Sequence, residues 1–108
     1  MKKNIDKSVN ELRYSVLAVD AVIFSIIKDK LCVFTINTNI TGYYKNTPAL
    51  PGGVILNSET AEQALKRHLI NKTKIKPAYI EQLYTFSEIK RDPRNRVVSI
   101  SYLCIIPE

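Results

Sequence analysis

The sequence predicts an α+β fold, a mixed β-sheet packed with one helix. Three observations predict it. Residues 16–27 (VLAVDAVIFSII) form a Val- and Ile-rich run that resumes at 31–38 after a short polar break. Residues 58–73 carry a helix start followed by an apolar stripe at helical spacing. Two further strand-like runs, 78–89 and 97–107, flank a turn centred on Asp92-Pro93. The expected order is β-β-β-α-β-β.

Taken in order, residues 16–27 suit a strand covered on both faces. Lys28-Asp29-Lys30 is a polar connection, so 31–38 returns as the second arm of a hairpin. Residues 39–48 (NITGYYKNTP) read as a loop by their Gly, Asn and Pro content. Residues 50–56 form a short strand broken by Pro51-Gly52-Gly53, where adjacent glycines allow close approach of the backbone to a partner. Ser58 is the expected N-cap, with Glu59, Thr60, Ala61 and Glu62 in the first turn and acidic side chains complementing the positive helix end. The helix should end at Lys72 or Thr73. Beyond it, Val98, Ile100, Tyr102 and Cys104 alternate against Ser99 and Ser101 in the last strand.

At 108 residues with 45% hydrophobic content the chain makes one domain. The polar segment 1–13 is set apart from a single domain over 14–108. That segment lacks the apolar core of a signal peptide, and the run 16–27 contains Asp20 and is too short to span a bilayer. A cytoplasmic protein without a membrane span is expected. Cys32 and Cys104 form no CxxC pair and read as small buried hydrophobes, and His68 completes no zinc site with them.

The net charge of +6 is clustered: Lys66, Arg67, Lys72, Lys74 and Lys76 in or after the helix, and Lys90, Arg91, Arg94 and Arg96 in one loop. Such clusters serve either as a solvated basic face or as a seat for phosphate-bearing partners. With 100° per residue, Ala64, Leu65, His68, Asn71 and Lys72 fall within an arc of about 120°. The apolar stripe that should face the sheet therefore continues in polar form. Polar side chains on an inward face are costly unless they line a cleft or find partners.

Leu50-Pro51-Gly52-Gly53, Glu59 and the stretch from Arg67 resemble the Nudix box, G-x5-E-x7-R-E-U-x-E-E-x-G-U with U aliphatic. Gly53, Glu59, Arg67, Leu69 and Ile75 fill their slots. His68, Asn71 and Lys72 stand where the family carries three carboxylates that hold divalent metal, and Lys74 replaces the glycine that ends the helix. Residues 81–86 (EQLYTF) and 91–99 (RDPRNRVVS) are similar to a subgroup that includes ADP-ribose pyrophosphatase-like proteins and Nudix-related transcriptional regulators of NAD metabolism.

The resemblance implies a Nudix fold, a mixed sheet with the Nudix helix in an α/β/α sandwich. Its C-terminal strand and helix are expected to be missing, because the chain stops just after a strand. In the regulators the domain senses ADP-ribose or a related metabolite, and a winged helix binds operator DNA. The expectation is a catalytically silent sensor with no catalytic residue, no metal and no cofactor. Its partners would be a nucleotide-type small molecule and a second copy in a homodimer, with DNA reached only through a domain absent from this chain. The alternative is an active pyrophosphohydrolase acting on ADP-ribose or another nucleoside diphosphate derivative, with Mg2+ held by unusual ligands such as Glu59 with Glu81 or Glu88. A nucleic-acid-binding module is a third option, but no regular array of aromatics supports it.

Candidate ligand-binding residues are Gly52, Gly53, Arg67, Lys72, Arg91, Arg94, Arg96 and Tyr44; Glu59, Arg67 and Leu69 are the structural part of the motif. Each has two readings. Lys72 either stands in for the lost metal charge or is, with His68 and Asn71, a polar surface residue of a decayed site. Arg67 either pairs with Glu59 or contacts a ligand phosphate. The loop arginines either bracket Asp92 and stiffen a hairpin or bind oxyanions through guanidinium forks. Tyr43 and Tyr44 either stack on adenine or are ordinary exposed tyrosines.

Overall fold

The computed structural model describes residues 15–37, 47–93 and 95–107. Its elements run β1 (Ser15–Ile27), β2 (Lys30–Phe34), β3 (Ile36–Asn37), β4 (Pro48–Ala49), β5 (Gly52–Val54), α1 (Ala61–Lys72), β6 (Tyr79–Phe86) and β7 (Arg96–Ile105). β1 organises the sheet. Along one edge its second half pairs antiparallel with β2, Ile23 opposite Phe34, and its first half pairs antiparallel with β5, Ala18 opposite Val54. Along the other edge it pairs in parallel with β7 from Ser15 opposite Arg96 to Phe24 opposite Ile105, and β6 follows antiparallel. The sheet is therefore mixed, as the sequence predicts.

The β1–β2 connection is a two-residue turn with φ 52° at Lys28 and 65° at Asp29. Two successive positive φ values match the right-handed twist of the strands they join. The strand predicted over 31–38 is split at Thr35. β2 belongs to the main sheet, whereas β3 pairs with β4 in a separate ribbon, Ile36 opposite Ala49 and Asn37 opposite Pro48. Pro48 thus lies in a strand and not in the predicted loop; it opens a short one, where its missing N–H is tolerated. β6 ends at Phe86, short of the predicted Ile89, because Ile89 and Lys90 already turn toward β7.

One face of the sheet carries the core. Val19, Ala21 and Ile23 of β1 and Tyr102 and Cys104 of β7 are buried against Ala64, Leu65 and Leu69 of α1. Burying Leu65 and Leu69 contributes roughly 1.5–3 kcal/mol each relative to leaving them in water. β1 was expected to be covered on both faces. Its burial instead alternates, with Ala18, Asp20, Val22 and Phe24 only half-buried, because α1 covers one face. A second helical layer is not among the described residues. Cys104 is buried, which pushes its thiol up to about 11. Cys32, on β2, is half-buried and not the core residue the sequence suggests.

α1 starts two residues later than an N-cap at Ser58 would allow. Thr60 is the cap: its hydroxyl accepts from the Gln63 amide at 3.1 Å, and the Gln63 side chain accepts from the Thr60 amide at 2.9 Å. This reciprocal box satisfies two donors that a helix start leaves open. Glu59 falls outside the helix and is free to reach elsewhere. At the other end Lys74 holds φ 60°, and its amide donates to the Leu69 carbonyl at 2.8 Å. The left-handed residue that closes the helix is thus a lysine where glycine is usual.

Candidate functional site

The site is built where β5 meets α1. β5 is short, and its inner polar groups go to β1: the Ala21 amide donates to the Pro51 carbonyl at 2.8 Å and the Ile55 amide to Leu17 at 2.9 Å. Antiparallel pairing then turns the alternate carbonyls, those of Gly52 and Val54, outward. An outward edge of this kind needs partners or water. Here α1 supplies them. Lys72 donates to the Gly52 carbonyl. Nε2 of His68 lies 2.9 Å from the Val54 carbonyl, and Nη2 of Arg67 donates to the same oxygen at 3.1 Å.

The glycines make this approach possible. A Cβ on Gly53 would lie 2.3 Å from Cε1 of His68, and one on Gly52 would lie 2.1 Å from the Val19 carbonyl oxygen. His68 is 7% exposed, so it is an internal residue packed under the glycine strand and not a polar surface residue. Asn71 and Lys72 are exposed at the same helix end.

Glu59 and Arg67 form the second part. Nε of Arg67 donates to Oε2 at 3.0 Å and Nη2 to Oε1 at 2.6 Å, and Oε1 also accepts from the Leu56 amide at 2.9 Å. These bonds, Arg67 first and the Leu56 amide second, hold the Glu59 carboxyl down at about 2. The same pair raises the Arg67 guanidinium above its ordinary value.

A third group lies across the sheet. Asp20 of β1 accepts from the Ser99 hydroxyl and pairs with Nη2 of Arg91 at 3.4 Å. A Cβ on Gly52 would lie 2.8 Å from Oδ1 of the same aspartate. Arg91 is thereby brought from the β6–β7 connection toward the glycine strand. Arg96 does not join it: Nη1 donates to the Glu88 carbonyl at 3.3 Å inside its own loop. Leu69 is a core residue. Tyr43, Tyr44 and Arg94 lie outside the described residues. Asp20 and Ser99 were not predicted as site residues; the available signal was a lone carboxylate inside an otherwise apolar strand.

This donor set does not fit a divalent cation of the kind that the Nudix helix holds. At the three helix positions stand an imidazole engaged with Val54, an exposed amide and an ammonium, where hard cations require several anionic or neutral oxygens. Among the described residues no group of three or more His, Cys, Asp or Glu gathers where it could hold a metal ion. No helix among them is long and apolar enough to cross a membrane.

No family model matches the chain. Among curated proteins it is similar to the ADPR responsive transcriptional repressor NtrR of Acinetobacter baylyi, 32% identical over 93 residues, covering 83% of this chain and 36% of the relative. It is also similar to the ADP-ribose pyrophosphatase of Methanocaldococcus jannaschii, 37% identical over 60 residues, covering 56% of this chain and 36% of the relative. The chain thus spans about a third of the length of the curated relatives it matches. Among solved structures, the NUDIX domain of Shewanella oneidensis NrtR complexed with ADP ribose superposes with a TM-score of 0.80 at 33% identity, covering 87% of this chain and 62% of that one. Mixed sheet, single described helix, box spacing and these likenesses agree: the chain belongs to the Nudix family.

Proposed function

We propose that this chain is a catalytically silent Nudix domain that senses an ADP-ribose-type NAD metabolite as the effector domain of a transcriptional regulator. The observation that carries this reading is the charge inventory at the β5–α1 junction. Lys72 is cationic and pairs with no carboxylate among the described residues, Glu59 is committed to Arg67 and the Leu56 amide, and Asp20 beside Gly52 is committed to Arg91 and Ser99. Such a site attracts phosphates and lacks the anionic oxygens that would fix a Lewis acid or an activated water. The likeness to a repressor that responds to ADP-ribose, and to a NUDIX domain solved with ADP ribose, supports the same ligand class. Gly52, Gly53, Arg67, Lys72, Arg91 and Arg96 are the described candidates for ligand contact, with Arg94 and Tyr44 outside the described residues. The reading carries a homodimer and DNA contact through a domain outside this chain.

Titration calorimetry with ADP-ribose, paired with an assay for AMP release in Mg2+ or Mn2+, tests it. Saturable binding without AMP is expected. A second reading, an active pyrophosphohydrolase, is favoured by the likeness to the Methanocaldococcus jannaschii pyrophosphatase, and release of AMP would replace the sensor reading with it.

A further inference from the structure

We infer that this site takes its diphosphate free of metal, with Lys72 as a tethered cation, so that Mg2+ does not assist binding and competes with it. The inference rests on the sensor reading and adds the charge state of the ligand. The Lys72 side chain reaches from the last turn of α1 to the outward carbonyl of Gly52. An ammonium has three N–H donors, and one is used there. Two remain without an acceptor among the described residues, on a side chain that is exposed. The surface beside it is the glycine pair of β5, and the nearest carboxylate there, Asp20, is already engaged by Arg91 and the Ser99 hydroxyl.

A bound divalent ion would have to share this ground with a fixed positive charge, and the donor set offers little to offset the repulsion. A diphosphate oxygen needs no such help, because charge-assisted bonds from ammonium to phosphate are among the stronger hydrogen bonds. Mg2+ chelated by the ligand cancels the charge that Lys72 would meet. Metal in solution therefore removes the binding species without creating a better one.

The experiment is calorimetry on the full chain with two probes, ADP-ribose and inorganic diphosphate, each in EDTA and in excess Mg2+. Wild type should bind both probes in EDTA, and binding should weaken in Mg2+. Lys72→Glu should lose about tenfold or more in EDTA, the size of one lost charge-assisted bond, while Lys72→Arg retains most of it. Thermal melts confirm that the exposed substitutions leave the fold intact. Affinity that rises with Mg2+, or a Lys72→Glu variant that binds both probes like wild type in EDTA, overturns the inference. Metal-free, Lys72-dependent binding of diphosphate without binding of ADP-ribose removes the ADP-ribose reading and leaves the inference standing. Absence of binding in every arm removes both.

Discussion

The imidazole of His68 lies directly beneath Gly53, so close that a Cβ there would sit 2.3 Å from Cε1 and 2.6 Å from Nε2. The ring has little room to give, since it is 7% exposed and its Nε2 is held 2.9 Å from the Val54 carbonyl. Gly53→Ala should therefore destabilise the domain by about 1–3 kcal/mol, the usual cost of overfilling a packed region. Urea denaturation measures it. Combining the change with His68→Ala should recover part of the loss, since contacting residues are not additive. A double variant whose loss is the simple sum would show that the contact does not govern the glycine.

Gly52→Ala should cost more than Gly53→Ala in the same measurement. Its added carbon meets the Val19 backbone oxygen at 2.1 Å, and backbone in a central strand cannot step aside as a side chain can. Equal losses for the two variants would contradict this ranking.

Acid should weaken the domain through Glu59. Its folded carboxyl is held at about 2 by Arg67 and the Leu56 amide, against 4.5 as the ordinary value. Its contribution to stability is full above the ordinary value. It is lost as pH falls through the window between the two, because the unfolded chain binds the proton first. Urea midpoints measured down to the acid end should fall over that window in wild type. In Glu59→Gln they should fall less over the same window. Parallel curves for the two proteins would remove Glu59 as the cause.

Helix capping gives a sharper contrast. Thr60→Ala should cost about 1 kcal/mol, because it leaves the Gln63 amide without its acceptor. Ser58→Ala, at the cap position suggested by sequence, should stay within about 0.5 kcal/mol. Denaturant midpoints of the two variants decide between the sites. At the far end, Lys74→Gly should be stabilising by up to ~1 kcal/mol, since φ 60° strains a residue with a Cβ.

The gross architecture was legible because its signals are local. Apolar alternation in 97–107 and the helical stripe from Ala61 to Lys72 depend on periods of two and 3.6 residues, and the run at 16–27 is continuous, all of which neighbours in the chain reveal. The box spacing is also written along the chain, with His68, Asn71 and Lys72 on one helix. The cap was misplaced by two residues because Ser58 and Thr60 are both good acceptors; the choice fell to Gln63, which completes a reciprocal box only with Thr60. The split of 31–38 was hidden for a related reason: a change of strand partner at Thr35 leaves no mark on strand propensity.

By itself, then, the sequence determined the order of the main-sheet strands and the helix, the Nudix-type spacing and the presence of His68, Asn71 and Lys72 at three helix positions. Tertiary structure decided what those positions do. Asp20 meets Arg91 across 71 residues and Ser99 across 79, and Lys72 meets the Gly52 carbonyl across 20. Such contacts follow from strand register and from which carbonyls a short edge strand turns outward. Both are set when β5 docks on β1 and α1 packs across them, a geometry that no local pattern in the chain encodes.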